Sequence, residues 1–139
     1  MTKPNEPLLV YVAAASAELE RAERVMKALR AAGIAIANDW TPDVRRHREA
    51  GLTDGDLTDE QCGEISSLNL EGVRKAGVLL FLTPKAPSTM AWVELGCASN
   101  VGHLIFASGP SPLLAVRGLA DFIFQDDDEA IAALTRAKS

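Results

Sequence analysis

The chain has 139 residues, 47% of them apolar and 24% charged, with a formal net charge of −5. Such a chain is long enough for one domain, residues 1–139, with its own core, and its composition is that of an ordinary soluble globular protein. The acidic balance argues against a nucleic-acid or membrane surface, and no apolar run nears the roughly 18 residues that span a bilayer.

Cys62 and Cys97 are too few for a disulfide framework, and without a CxxC or Cys/His cluster they give no metal site. The opening Met-Thr-Lys-Pro-Asn-Glu-Pro lacks the charged and apolar regions of a secretory leader. The expected setting is a reducing cytoplasm. No G-x-x-x-x-G-K-[ST], G-x-G-x-x-G or zinc motif is present, so neither a cofactor nor a metal is expected.

Residues 8–14, Leu-Leu-Val-Tyr-Val-Ala-Ala, form a short, nearly continuous apolar run, as expected of a strand covered on both faces. Ser16 can cap a helix over 17–32 with Leu19, Val25, Met26 and Leu29 inward, closed by Gly33. A second short strand is expected over 34–37, ending at Asn38-Asp39-Trp40. Residues 40–60 are polar, rich in Asp, Arg and Gly, and without a clear period; they read as a long loop, either functional or disordered. A helix over 59–75 follows, with Ile65, Leu68 and Val73 among its apolar positions. Val-Leu-Leu-Phe-Leu at 78–82 is the strongest strand signal. Two prolines make 83–87 a loop, and a helix runs from about 89 to 101. Short strands are expected over 104–107 and 122–124, with a Gly/Pro/Ser-rich loop between them. Asp126-Asp127-Asp128 favour the start of a last helix over 129–137.

This alternation predicts a doubly wound, flavodoxin-like (Rossmann-like) α/β three-layer sandwich with five mainly parallel strands in the order 2-1-3-4-5. Sheets of this kind bind ligands beyond the carboxyl ends of their strands, where the strand order reverses. Here the loops after strands one and three, residues 13–17 and 83–89, flank that crevice.

The second of those loops leads into Ser88-Thr89-Met90-Ala91-Trp92-Val93-Glu94-Leu95-Gly96-Cys97-Ala98. On a helix, Glu94 shares a face with Met90, Ala91, Cys97, Ala98 and Val101, so a carboxylate interrupts an apolar stripe. Either it reaches water at the stripe's edge, or it sits in a partly dry cleft as a nucleophile or acid/base.

Glu94-Leu95-Gly96-Cys97-Ala98, with Trp92 two residues earlier, resembles the Glu-x-Gly-x-Ala signature of the nucleoside 2-deoxyribosyltransferase-like superfamily. The resemblance runs through most of the chain, from an N-terminal strand with Tyr11 to the signature helix. It implies that Glu94 attacks the anomeric carbon of a nucleoside or nucleotide and releases the base. The covalent sugar ester then passes to water or to another base, a double displacement like that of retaining glycosidases. It also implies a small-molecule nucleoside or nucleotide as the partner, Tyr11 near Glu94, and a homodimer or higher homo-oligomer. Six residues before the glutamate, free-nucleoside transferases usually carry Asp, which meets the 5′-hydroxyl. Nucleoside 5′-monophosphate N-glycosidases carry Ser, as this chain does at Ser88.

Ser88 and Thr89 offer hydroxyls and N–H groups at a helix N-terminus, which suits an anion; Ser88 is equally well explained as a cap. Tyr11 reads either as core or as a neighbour of Glu94 and the sugar. Asp39 can hold a hydroxyl and Trp40 can stack on a base, while turn chemistry accounts equally for Asn38-Asp39. Ser16 joins this substrate-facing set from the loop after strand one. The basic run Arg45-Arg46-His47-Arg48 reads as a solvated loop face or a cover for a phosphate, and His103 as a positive end for the signature helix. Two other classes stay open: a TIR-like NAD glycohydrolase, through Trp92-Val93-Glu94 after strand three, and a degenerate nucleotide-binding module without catalysis.

Overall fold

The computed structural model describes residues 8–138; the N-terminal stretch read above for the absence of a leader lies outside them. Five strands, β1 (Leu9–Ala13), β2 (Ala35–Ile36), β3 (Val78–Leu82), β4 (Leu104–Ser108) and β5 (Phe122–Phe124), form one sheet in the order β2-β1-β3-β4-β5. Every pairing is parallel, with Tyr11 opposite Leu79 and Leu79 opposite Ile105. β3 is buried along its whole length, as an all-aliphatic and aromatic run in the middle of a parallel sheet must be.

The helices are α1 (Leu19–Ala31), α2 (Thr41–Glu49), α3 (Asp59–Lys75), α4 (Met90–Val101), α5 (Leu114–Leu119) and α6 (Asp127–Lys138). α1 packs on α6, and α3 packs on α4. Right-handed crossovers from a strand order that reverses at β1 place these two pairs on opposite faces of the sheet. β1, β3 and the inner sides of α1, α3 and α4 supply most of the buried apolar residues. Among the described residues no helix is long and apolar enough to cross a membrane.

Four local expectations are corrected. Ser16 does not cap a helix beginning at residue 17: residues Ser16–Glu18 make a single 3-10 turn without a side-chain cap, and α1 begins at Leu19. Gly33 does close α1, in the left-handed region at φ 78°, where a side chain would be strained.

Residues 40–60 are not a featureless loop, because they contain α2 and a 3-10 turn, Asp54–Asp56. Asp39 accepts the Thr41 N–H at 2.9 Å, and Pro42 occupies the first turn. Arg45 and Arg48 reach across to Glu23 and Glu20 of α1. Only Trp40 and Val44 of this segment pack on the core, too few apolar residues to show a period.

The Gly/Pro/Ser-rich stretch before β5 likewise contains α5. Parallel β4 and β5 need a crossover, and a hairpin turn cannot provide one. Lastly, α6 starts two residues earlier than its apolar pattern shows: Asp126 Oδ1 accepts the Glu129 N–H at 2.9 Å and Glu129 Oε2 accepts the Gln125 N–H at 2.9 Å, a reciprocal cap.

Candidate active site

α4 turns Ala91, Glu94, Leu95 and Ala98 inward. Three of these are apolar and the fourth is a carboxylate only 3% exposed. A fully buried Tyr11, in the middle of β1, donates its hydroxyl proton to Glu94 Oε2 at 2.7 Å. Burial pushes the Glu94 carboxyl up to about 7, against the hydrogen bonds from Tyr11 and Asn69 that favour its ionised form. The Tyr11 hydroxyl is held far above its ordinary range, first by burial and then by the charge of Glu94, so it acts only as a proton donor in a hydrogen bond.

Two features of α3 complete this pair. Gly72 lies so close to β1 that a Cβ there would stand 2.7 Å from Asn38 Cβ and 3.1 Å from the Tyr11 ring. One turn earlier on the same face, Asn69 is nearly buried, and its Oδ1 accepts from Asn38 Nδ2 at 2.9 Å. With its oxygen engaged, the Asn69 amide has its NH2 left to give to Glu94. Asn38, two residues beyond β2, stands in the left-handed region at φ 43°, a conformation Asn tolerates better than most residues.

Glu94 opens into a cavity of about 470 Å³ at the carboxyl edge of the sheet. Ser88, Thr89, Ser16 and Trp40 all line it, as the strand order required of the loops after β1 and β3. Ser88 Oγ accepts the Ala91 N–H at 3.4 Å, so this hydroxyl both caps α4 and faces the cavity. Trp40 is tied through its Nε1–H to the Val12 carbonyl at 2.8 Å, which leaves its hydrocarbon surface towards the cavity.

Asp39 is not brought to this cavity. Its Oδ2 takes Arg30 Nη2 at 2.7 Å and its Oδ1 takes Thr41. Burial alone would raise its pKa, but hydrogen bonds from Thr41 and Arg30 outweigh burial and hold it below the ordinary value. Turn chemistry thus occupies both oxygens. The basic run also faces elsewhere: Arg45 and Arg48 pair with α1, Arg46 with Asp43, and only His47 lines the cavity. His103 Nε2 sits 3.1 Å from the Arg74 carbonyl, away from Glu94.

Sequence reasoning missed Asn69 and the cavity-facing side of α2. Asn69 was open to detection by the signal that found Glu94, since it interrupts the stripe of Ile65, Gly72 and Val73. Asp43 had no such signal while its segment read as a loop, and His47 stood out only as part of the basic run.

The loop between β3 and α4 is anchored from the opposite side. Glu18 Oε1 accepts the N–H groups of Lys85 at 2.7 Å and Ala86 at 3.2 Å. Glu18 Oε2 pairs with Arg21 at 3.0 Å, and Arg21 also donates to the Thr83 and Ser108 carbonyls and to both oxygens of Asp127. Among the described residues no group of three or more His, Cys, Asp or Glu is placed to hold a metal ion.

The arrangement offers one chemistry readily: a nearly dry carboxylate, oriented by a phenol and an amide, beside a cavity of small-ligand size. No protein-family model matches the chain, and no curated protein matches it in sequence. Among solved structures the chain is similar to a Clostridium botulinum CMP N-glycosidase, BcmB, with a TM-score of 0.58 and 16% identity over 93% of this chain and 98% of that one. At that identity the likeness establishes a shared α/β fold across the described chain.

Proposed function

We propose that the protein cleaves the N-glycosidic bond of a nucleoside or nucleoside 5′-monophosphate, with Glu94 as nucleophile. The observation that carries this reading is the Tyr11–Glu94 pair at the head of the cavity, a carboxylate 3% exposed and 2.7 Å from a phenol. Burial removes water from the carboxylate, while Tyr11 and Asn69 aim it and keep part of it ionised at neutral pH. In the double displacement, a Glu94 oxygen bonds to the anomeric carbon as the base leaves, and water or a second base then takes the sugar. Trp40 lines the side where a base would stack, and Ser88, Thr89 and Ser16 offer hydroxyls to the sugar.

The shared fold with a protein that is itself a CMP N-glycosidase supports the same class of chemistry. The signature around Glu94 supports it independently of that fold. A homo-oligomer belongs to the same proposal: Leu68 and Val93, on the packed pair α3 and α4, are each 49% exposed, as apolar positions covered by a second copy would be.

Incubating the protein with nucleosides and their 5′-monophosphates, read by chromatography for free base, tests the reading. Base release should fall at least about a hundredfold in Glu94→Gln, several kcal/mol in barrier. Equal turnover in that variant would transfer the activity to another residue and end this proposal.

A further inference from the structure

The charges around the cavity are one-sided. Three carboxylates line it, Asp43 on α2, Asp54 in the following 3-10 turn and Glu94, while His47 is the single basic lining residue and no Lys or Arg is among them. The nearby arginines are spent on α1: Arg45 pairs with Glu23 and Arg48 with Glu20. Arg46 takes one oxygen of Asp43 from an exposed position, leaving the other for a ligand. Against these, the N-terminus of α4 brings a partial positive charge equivalent to about half an elementary charge, and Ser88 Oγ already occupies one of its N–H groups. With Asp43 shared with Arg46, it is Asp54 and the ionised share of Glu94 that tip the balance to negative.

We infer that the cavity takes a nucleoside whose base carries a positive charge and whose 5′ end is an uncharged hydroxyl. The inference rests on reading the cavity as an N-glycosidic site. Trp40, Asp43, Val44 and His47 recur at i, i+3, i+4 and i+7 and form one wall. An indole beside carboxylates is a surface that attracts a flat cation. Ser88 and Thr89 are neutral hydroxyls, matched to a 5′-hydroxyl, whereas a phosphate dianion would enter a site without a compensating cation.

The chemistry balances without an acid catalyst. As a Glu94 oxygen bonds to C1′, the C1′–N bond breaks and its electron pair discharges the cationic ring, so the base leaves neutral. Water then attacks C1′, the carboxylate departs, and the proton passes to solvent.

The test pairs charge at each end: nicotinamide riboside, nicotinamide mononucleotide, cytidine and cytidine 5′-monophosphate. Binding is measured by calorimetry on Glu94→Gln, and base release on the native protein. Nicotinamide riboside should bind at least about tenfold tighter than cytidine, and each nucleoside at least about tenfold tighter than its monophosphate. The double variant Asp43→Asn/Asp54→Asn should lose most of the preference for the cation. Charge-blind binding, or preferred cleavage of the monophosphates, would overturn the inference while leaving Glu94 as nucleophile. Cation-selective binding with no base released from any of the four would do the reverse. Binding of none would end both.

Discussion

Glu94 is costly where it stands, and the cost is visible in its proton affinity. Burial takes its pKa from 4.5 to about 7. The folded protein therefore holds a proton that the unfolded chain releases across that interval, and stability falls as pH rises from 4.5 to about 7, then levels. The full effect is about 3 kcal/mol. Glu94→Gln removes this penalty, so urea denaturation should show it gaining on the native protein between pH 5 and pH 8, with little difference at the acid end. The nucleophile must be ionised, so base release should climb with pH through a midpoint near 7. Tyr11→Phe keeps the ring in the core and deletes the bond that favours the carboxylate. Its pH–rate midpoint should rise by about one pH unit, the weight of one hydrogen bond to a charged group. A midpoint that does not move would deny Tyr11 any influence on Glu94.

Among the elements, α3 is the one on which the site depends most. Gly72 lets it lie against Tyr11 and Asn38, and Asn69 reaches Glu94 from the next turn. Gly72→Ala favours the helix locally but drives a methyl into Asn38 Cβ, 2.7 Å away. The variant should lose about 1–3 kcal/mol by denaturation and raise the Glu94 midpoint as α3 moves outward. α2 shows how a helix with almost no apolar face is placed: Asp39 accepts the Thr41 N–H ahead of it, Pro42 stands in its first turn, and Arg45 and Arg48 pair with α1. Surface pairs are individually weak, so it is Trp40 and Val44 that anchor it.

At the scale of the whole molecule, Arg21 joins parts far apart in sequence. It grips the carboxyl ends of β3 and β4 through Thr83 and Ser108, α6 through Asp127, and the loop to α4 through Glu18. Asp127 is 7% exposed, and the hydrogen bonds of Arg21 and Ser108 hold its pKa below the ordinary value despite burial. Arg21→Met would leave that carboxylate with the exposed Arg24, 2.9 Å from Oδ2, and the Ser108 hydroxyl as its remaining partners. Losing the charged hydrogen bonds of Arg21 should cost about 1–3 kcal/mol, to be read as a fall in denaturation midpoint at pH 7. A loss under about 1 kcal/mol would show that Arg24 and Ser108 hold Asp127 without it.

Much of this protein is legible in its residues taken in order. The aliphatic run Val78–Leu82, the apolar positions of Asp59–Lys75 and the lone carboxylate in the stripe of α4 each depend on local chemistry: side-chain period and desolvation. Together they were enough for the parallel 2-1-3-4-5 sheet and for the edge on which the cavity lies. Contacts between distant segments decided the rest. α2 is anchored by Trp40 and Val44 and paired with α1, and α5 lies in the crossover that two parallel strands need, so neither carries a period of its own. Asp39 was a ligand or a turn residue on equal terms until Arg30 and Thr41 claimed its oxygens. Tyr11 and Glu94 lie 83 residues apart, and no local rule brings a phenol and a carboxylate to 2.7 Å. Only the packing of α3 and α4 on β1 does so, and the same packing supplies the burial that gives Glu94 its perturbed acidity.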